Sequence, residues 1–387
     1  MAPKSDTRKP TSIAASGPRA DDIARWSDHY FLKTKEAVGR FGDVDVTYTV
    51  FMRRPVVFAP RLMMDWMAMI ADERGVTFEI TPSYEEGQWV GAGEPLMYIT
   101  GSLYHLVDLE TIYLQKLGAA CVAANNAFSM CVELPETTFM AMDARHCAGL
   151  EMAEIMAYAA AVGSEAAKAQ VGANGFIGNA TEATAHFFGQ ERGLGTMPHA
   201  FIGYAGSTLK AAEMFAETFP GQPITILPDF FGQEITDTLT VCRRFPEMAT
   251  SGLISVRLDT HGGRYIEGLD PQESYAVLER HAPQAIRRYR NDAELRHLTG
   301  TGVSAAAVFR MREHLDRAGF DAVQIVCSSG FDFEKCRVMA DAGAPIDVVG
   351  TGSYLPEKWR ETYATADIVA YDGKPLVKTG REFLIRK

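Results

Sequence analysis

His199 closes the run GTMPH, Arg257 and Asp259 stand two apart in VRLD, and two late loops, Ser328-Ser329-Gly330 and Gly350-Thr351-Gly352-Ser353, are rich in small residues. Together these are the residue types from which a site for an anionic substrate is built. An imidazole can act as base, nucleophile or phosphate donor, or be an ordinary structural histidine. Arg257 and Asp259 share one face of a strand. The guanidinium fork suits a carboxylate or phosphate, and the aspartate suits a ribose hydroxyl or a magnesium-bound water, with an internal salt bridge as the alternative. The two loops allow close backbone approach, so that free N–H groups can cradle a phosphate without net basic charge. Asp143, Arg145 and His146 in MDARH, and Asn179 and Thr181 in the glycine-rich turn GFIGNATEA, can also be plain turn or cap residues.

The elements that would position them are short apolar runs. Ile224 to Leu227 leads to Asp229, Ile254 to Leu258 to Asp259, Val323 to Cys327 to the first loop, and Ile346 to Val349 to the second. Each has the length and β-branched content of a buried parallel strand, and helical segments separate most of them. Helices are expected over 206–219, 302–318 and 332–342. This alternation predicts an irregular α/β barrel, whose chemistry sits at the carboxyl ends of its strands. His199 then falls at a strand-to-helix junction. An α/β layered domain over 23–140 precedes the barrel at 141–364, and 365–387 returns to it with strands at 368–371 and 376–378. In the first domain strands are expected near 43–54, 77–80 and 96–100 and helices over 61–74 and 108–117, with Glu110 a hydrogen-bonded helix residue. Residues 1–22 read as a disordered tail.

The formal net charge of -11 over 387 residues disfavours nucleic acid or an anionic membrane as the main partner, so any bound anion needs a local site. The six cysteines show no metal-ligand spacing and read as buried thiols of a reducing compartment. No run approaches the roughly 20 apolar residues that span a bilayer, which predicts a cytoplasmic protein.

Taken in order, SDHYFLKT, VFMRR, LETIYLQKL, MDARH, GFIGNATEA, GTMPHA, VRLD, CSSGFD, DVVGTGS and DGKPLVKTG resemble the nicotinate phosphoribosyltransferase family, the barrel-type phosphoribosyltransferases that include nicotinamide and quinolinate enzymes. The resemblance covers the chain from about Ser27 onward. It implies transfer of phosphoribose from phosphoribosyl pyrophosphate to nicotinate, with Mg2+ and with ATP as co-substrate through a phosphohistidine at His199. It places Asp229 near the histidine, Arg257 and Asp259 at the nicotinate carboxylate and ribose, and Arg145 near base and phosphates. Asn179 and Thr181 also fall to substrate. Ser329, Gly330, Gly350 and Gly352 would hold the 5'-phosphate, and Asp28, Tyr30, Arg53 and Lys378 would reach into a partner's site in a homodimer. Three departures stand out: Gly178-Asn179-Ala180-Thr181 replaces Thr-Ser-Asn, while Asp229-Phe230-Phe231-Gly232 and Asp259-Thr260-His261-Gly262-Gly263 each keep the first family acid and lose the second. A related acceptor base, or ligand binding without turnover, are the alternatives.

Overall fold

A computed structural model of the chain describes residues 17–358 and 361–385. The chain divides into two compact units. One draws on the chain up to Phe128, on Asp143–Ala166 and on the chain from Leu355 onward; the other comprises Ser129–Met142 and Ala167–Tyr354. Asp143, Arg145 and His146 thus group with the first unit rather than opening the second.

In the first unit, β1 (Asp45–Phe51), β2 (Val56–Val57), β3 (Glu79–Pro82), β4 (Trp89–Val90) and β5 (Pro95–Ser102) come in sequence. β5 lies between β1 and β3, all antiparallel. The helix Arg61–Arg74 follows its apolar spacing, burying Leu62, Met63, Trp66, Met67 and Ile70 on one side, and ends on Gly75 in the left-handed conformation. The expected helix at 108–117 extends much further, from Glu110 to Glu133. Its continuation is rich in alanine, asparagine and cysteine, which mask a 3.6-residue apolar stripe.

The second unit holds β6 (Thr138–Ala141), β7 (Gly175–Asn179), β8 (Ile224–Ile226), β9 (Ile254–Leu258), β10 (Gln324–Cys327) and β11 (Val348–Thr351). They form one parallel sheet in the order β7-β6-β11-β10-β9-β8. This is the expected irregular α/β barrel, with β7 and β8 sharing no ladder among the described residues. Along β9 Ile254, Val256 and Leu258 are fully buried, while Ser255 and Arg257 take the other face. Helices Thr208–Thr218, Ala305–Arg317 and Phe333–Ala342 fall where the apolar spacing put them, each with a serine or aspartate side chain capping its first turn.

Three local expectations change. Gly175–Asn179 is strand β7, not a turn. His199 follows a coil containing Gly193, Gly195 and Pro198 instead of a strand, and is itself the first residue of the helix His199–Ala205. Gly350 lies within β11, paired with Met140, instead of in the loop after it; an added Cβ there would meet the tip of the Met142 side chain at 2.8 Å, which would have to shift to make room.

The chain then returns to the first sheet as β12 (Thr365–Tyr371), antiparallel to β1, and β13 (Lys374–Pro375). Asp372 and Gly373 both adopt positive φ, 46° and 72°, which makes the two-residue hairpin turn between them. No strand forms at 376–378. Of the expected disordered stretch, residues 1–16 lie outside the described residues, whereas Trp66 Nε1 donates to Pro18 O at 3.1 Å and the Ala20 N–H to Glu73 at 2.8 Å, so 18–22 is held. Five cysteines are buried; Cys147 is partly exposed, against expectation, with its Sγ 3.3 Å from Asp143 O. Among the described residues no helix is long and apolar enough to cross a membrane.

Candidate active site

Parallel strands put all their carboxyl ends along one edge, and the polar residues singled out above follow them there. β7 ends at Asn179, β8 leads to Asp229, β9 to Asp259, β10 to Ser328–Gly330 and β11 to Gly352. The ladder pairs Leu258 with Cys327 and Ala141 with Asn179, which fixes these ends in register. A cavity of about 660 Å³ opens at the opposite, amino ends of β6, β7, β10 and β11, beside Glu136, Asn174, Gln324 and Asp347. It gathers none of the candidate residues, so its size does not outweigh the chemistry at the carboxyl edge.

His199 Nε2 lies 2.9 and 3.0 Å from the two carboxylate oxygens of Asp229. The imidazole side chain is 41 % exposed and the aspartate 9 %. A carboxylate on one ring nitrogen fixes the ring's orientation and leaves the other nitrogen for chemistry. Asp229 is positioned in turn: Arg264 donates to its main-chain carbonyl at 2.8 Å and pairs with Glu234 at 2.5 Å. Glu234, fully buried, also accepts from Thr260 Oγ1 at 2.9 Å and from the Glu267 N–H at 3.1 Å. One buried carboxylate therefore joins the loop after β8 to the loop after β9.

Arg257 donates to Thr196 Oγ1 at 2.5 Å and lies 3.6 Å from Asp259. Asp259 accepts from Ser328 Oγ at 2.9 Å. The shared face read from the sequence is thus occupied by an arginine held between a hydroxyl and a carboxylate. The loop Ser328–Gly330 is pinned on several sides, by Ser328 N–H to Leu258 O at 2.9 Å, by Thr351 Oγ1 to Phe331 O at 3.0 Å, and by Lys335 Nζ to Ser329 O at 2.7 Å. Ser329 and Gly330 both have positive φ, 74° and 68°. Asn179 Nδ2 reaches Thr181 at 3.2 Å and also bonds Thr184, while its Oδ1 is buried without a partner among the described residues. A buried, unpaired acceptor costs about 1 to 3 kcal/mol, so its retention marks a position that a ligand donor could satisfy.

The remaining candidates belong to the first unit. A recess of about 960 Å³ is lined by Asp28, Tyr30, Glu110, Lys116, Glu151 and Tyr363, and a second, of about 530 Å³, by Tyr30, Glu110 and Lys378. Thr111 Oγ1 donates to Asp28 at 3.1 Å. Glu110 makes no side-chain hydrogen bond among the described residues, contrary to the expectation of a satisfied helix residue. Burial, with Asp367 and Asp28 adding to it, pushes its carboxyl up to about 7. Arg53 sits over the Tyr363 ring, 5.3 Å from its centroid. Arg145 is exposed, with Nε 3.4 Å from His146 Nε2.

Thr196, Glu234, Arg264 and Lys335 were not picked out from the sequence. Thr196 lies inside the GTMPHA run, and Lys335 had a signal of its own, a cation in the first turn of a helix, where the dipole disfavours it. Glu234 and Arg264 had none, because their partnership spans 30 residues of chain and depends on the fold.

No family model and no curated protein matches the chain by sequence. Solved structures do match it. The nicotinate-nucleotide pyrophosphorylase from Pyrococcus furiosus aligns with TM-score 0.69 at 23% identity, over 93% of this chain and 79% of that one. Human nicotinic acid phosphoribosyltransferase aligns with TM-score 0.58 at 16% identity, over 91% and 76%. The nicotinate-nucleotide pyrophosphorylase from Ehrlichia chaffeensis gives TM-score 0.56 at 11% identity, over 90% and 96%. The chain therefore has the fold of the barrel-type phosphoribosyltransferases that these structures represent.

Proposed function

We propose that this protein transfers phosphoribose from phosphoribosyl pyrophosphate to a pyridine carboxylate, with nicotinate as the acceptor, releasing pyrophosphate and forming the mononucleotide used in NAD biosynthesis. The observation that carries this reading is the grouping of an Arg257–Asp259 pair, a His199–Asp229 pair and the Ser329–Gly330 loop along one edge of a parallel sheet, in a fold shared with enzymes named for that chemistry.

The bond from ribose C1 to pyrophosphate breaks as the pyridine nitrogen supplies an electron pair to C1, through a ribose with oxocarbenium character. The nitrogen needs no strong activation. The protein must hold it in line and favour charge on the departing pyrophosphate, and positioning of this kind can be worth about 7 to 11 kcal/mol. Arg257 offers the acceptor carboxylate a planar pair of donors, Asp259 accepts a ribose hydroxyl, and the loop N–H groups take the 5'-phosphate. Asn179 and Thr181, with Gly350 and Gly352, complete the substrate contacts of this edge, and Arg145 serves base and phosphates.

Among the described residues no group of three His, Cys, Asp or Glu forms a metal cage. Mg2+ arriving with a pyrophosphate needs only one or two carboxylates, a requirement Asp259 fits, and it would neutralise charge on the leaving group. His199, oriented by Asp229, can accept the γ-phosphoryl of ATP on its open ring nitrogen, ADP leaving. In the homodimer of this reading, Asp28, Tyr30, Arg53 and Lys378 serve the partner's site.

Quinolinate is the second reading, motivated by the neighbours named nicotinate-nucleotide pyrophosphorylase. Purified protein given saturating phosphoribosyl pyrophosphate and Mg2+, with nicotinate, quinolinate or nicotinamide, with and without ATP, decides between them by pyrophosphate release. Turnover with nicotinate in preference to the others is expected. Preference for quinolinate with release of CO2 selects the second reading, and no turnover with any of the three ends both.

A further inference from the structure

The helix Phe333–Ala342 starts with an electrostatic oddity. Asp332 caps it by accepting from the Lys335 N–H at 2.7 Å, and that lysine, 4 % exposed, stands in the first turn. A helix N-terminus carries about half a positive charge, so a buried cation there is doubly disfavoured. Among the described residues Lys335 has no ion pair. Its ammonium makes one hydrogen bond, to Ser329 O at 2.7 Å, and lies 4.3 Å from the Phe331 ring centroid.

The direction of that one bond decides what the loop presents. In a planar trans peptide the C=O and N–H are opposed. With Ser329 O drawn onto Nζ, the Gly330 N–H points away from the lysine. The N–H groups of Ser329 and Gly330 donate to no protein acceptor among the described residues. Ser329 is moreover a non-glycine residue held at φ 74°, a conformation that costs on the order of 1 kcal/mol or more and persists only where the surroundings enforce it.

We infer that Lys335 is a positioning residue for a bound phosphate monoester: it holds the Ser329–Gly330 peptide with its N–H turned outward and lends a buried positive charge from beneath the loop. It touches the loop and not the ligand. The inference rests on the phosphoribosyl reading only for what bears the phosphate.

The charged and titratable groups around it are Asp259 beyond β9, Cys327 at the end of β10, Asp332 and Cys336 beside or on its own helix, and His297 from the helix Asp292–Thr299. Burial pushes Cys327 up to about 12, raises Cys336 well above its usual value, and holds His297 below its usual value. Burial also lowers the lysine itself, to about 8. Between neutral and moderately alkaline pH, Lys335 is therefore the group of this set that loses its charge, and phosphate affinity should fall as pH rises through that value.

Ribose 5-phosphate is the probe. Its phosphate, with a second pKa of about 6, stays dianionic across the alkaline range. Calorimetric titration from about pH 7 to about pH 9.5 should show wild-type affinity falling as pH passes about 8. At the lower pH, Lys335→Met should bind about tenfold more weakly, the scale of one lost charge-assisted interaction, and should lose the pH dependence. Lys335→Gln, which keeps a donor without the charge, should lie between them and also be flat. A flat wild-type profile, a variant that binds and titrates like wild type, or a wild type that does not bind the probe would each overturn the inference. Should Lys335→Met fail to fold, the wild-type profile and Lys335→Gln decide. Binding with the expected profile but no turnover on any pyridine carboxylate would overturn the proposed reaction and leave the lysine's role standing.

Discussion

On one side of the carboxyl edge, His199 is 41 % exposed at the head of a seven-residue helix that follows a long coil. On the other, Lys335 is 4 % exposed beneath a loop pinned to β9, to β11 and to its own helix. A group proposed to gain and lose a phosphoryl must be reached by a second nucleotide and tolerate the added charge, so it stands out with a single carboxylate behind it. A loop that only grips must already hold its N–H groups in place, because reorganising them would consume binding energy. Arg257 and Glu234 bridge the contrast. The first lies on rigid strand β9 between Thr196 and Asp259, and the second connects the loops after β8 and β9.

Substitution should separate the two sides, beginning with the largest effect. Arg257→Ala removes a strand-borne donor and leaves Asp259 without its cation; kcat/KM for the acceptor should fall about a thousandfold, or about 4 kcal/mol. A fall in ATP stimulation alone would assign Arg257 to the histidine side. Glu234→Ala strips the half-buried Arg264 of its carboxylate and the buried Thr260 hydroxyl of its acceptor, and should cost about 2 kcal/mol of stability in denaturant unfolding. If the midpoint stays put, Glu234 does not join the two loops energetically. His199→Ala, on the exposed side, should keep basal turnover and change stability by no more than about 0.5 kcal/mol while abolishing ATP stimulation. Equal loss of both activities would mean that the histidine belongs to the reaction itself. The smallest effect is expected for Ser329→Gly. Relief of left-handed strain and the greater freedom of the unfolded chain nearly cancel, giving a change within about 1 kcal/mol, with the KM for the phosphoribosyl donor rising no more than about twofold because Lys335 still sets the peptide. A large rise would show that the serine side chain, not the backbone, holds the phosphate.

The alternation of short β-branched runs with helices was legible without coordinates, since a strand buried on both faces must read as a continuous apolar run. The acids and small residues after β8, β9 and β10 were legible too, because they interrupt those runs. The long helix Glu110–Glu133 was only half visible, for its small and polar residues blur the period on which sequence reading depends. The GTMPHA motif points to His199, but the strand expected before it is a coil, because Gly193, Gly195 and Pro198 disfavour a ladder. Helix position makes Glu110 look like a satisfied residue, whereas it lines two recesses and burial pushes its carboxyl up to about 7.

By itself the sequence determined the class of fold, the parallel strands and the pair Arg257 and Asp259, because alternation along a strand is a local rule with period two. Tertiary structure alone decided that Asp229 backs His199, that Glu234 and Arg264 tie one loop to the next, and that Lys335 lies under Ser329 rather than in solvent. Those contacts join residues that are distant in sequence or hidden by folding, and which polar groups must share one dry space is fixed only when the backbone closes around them.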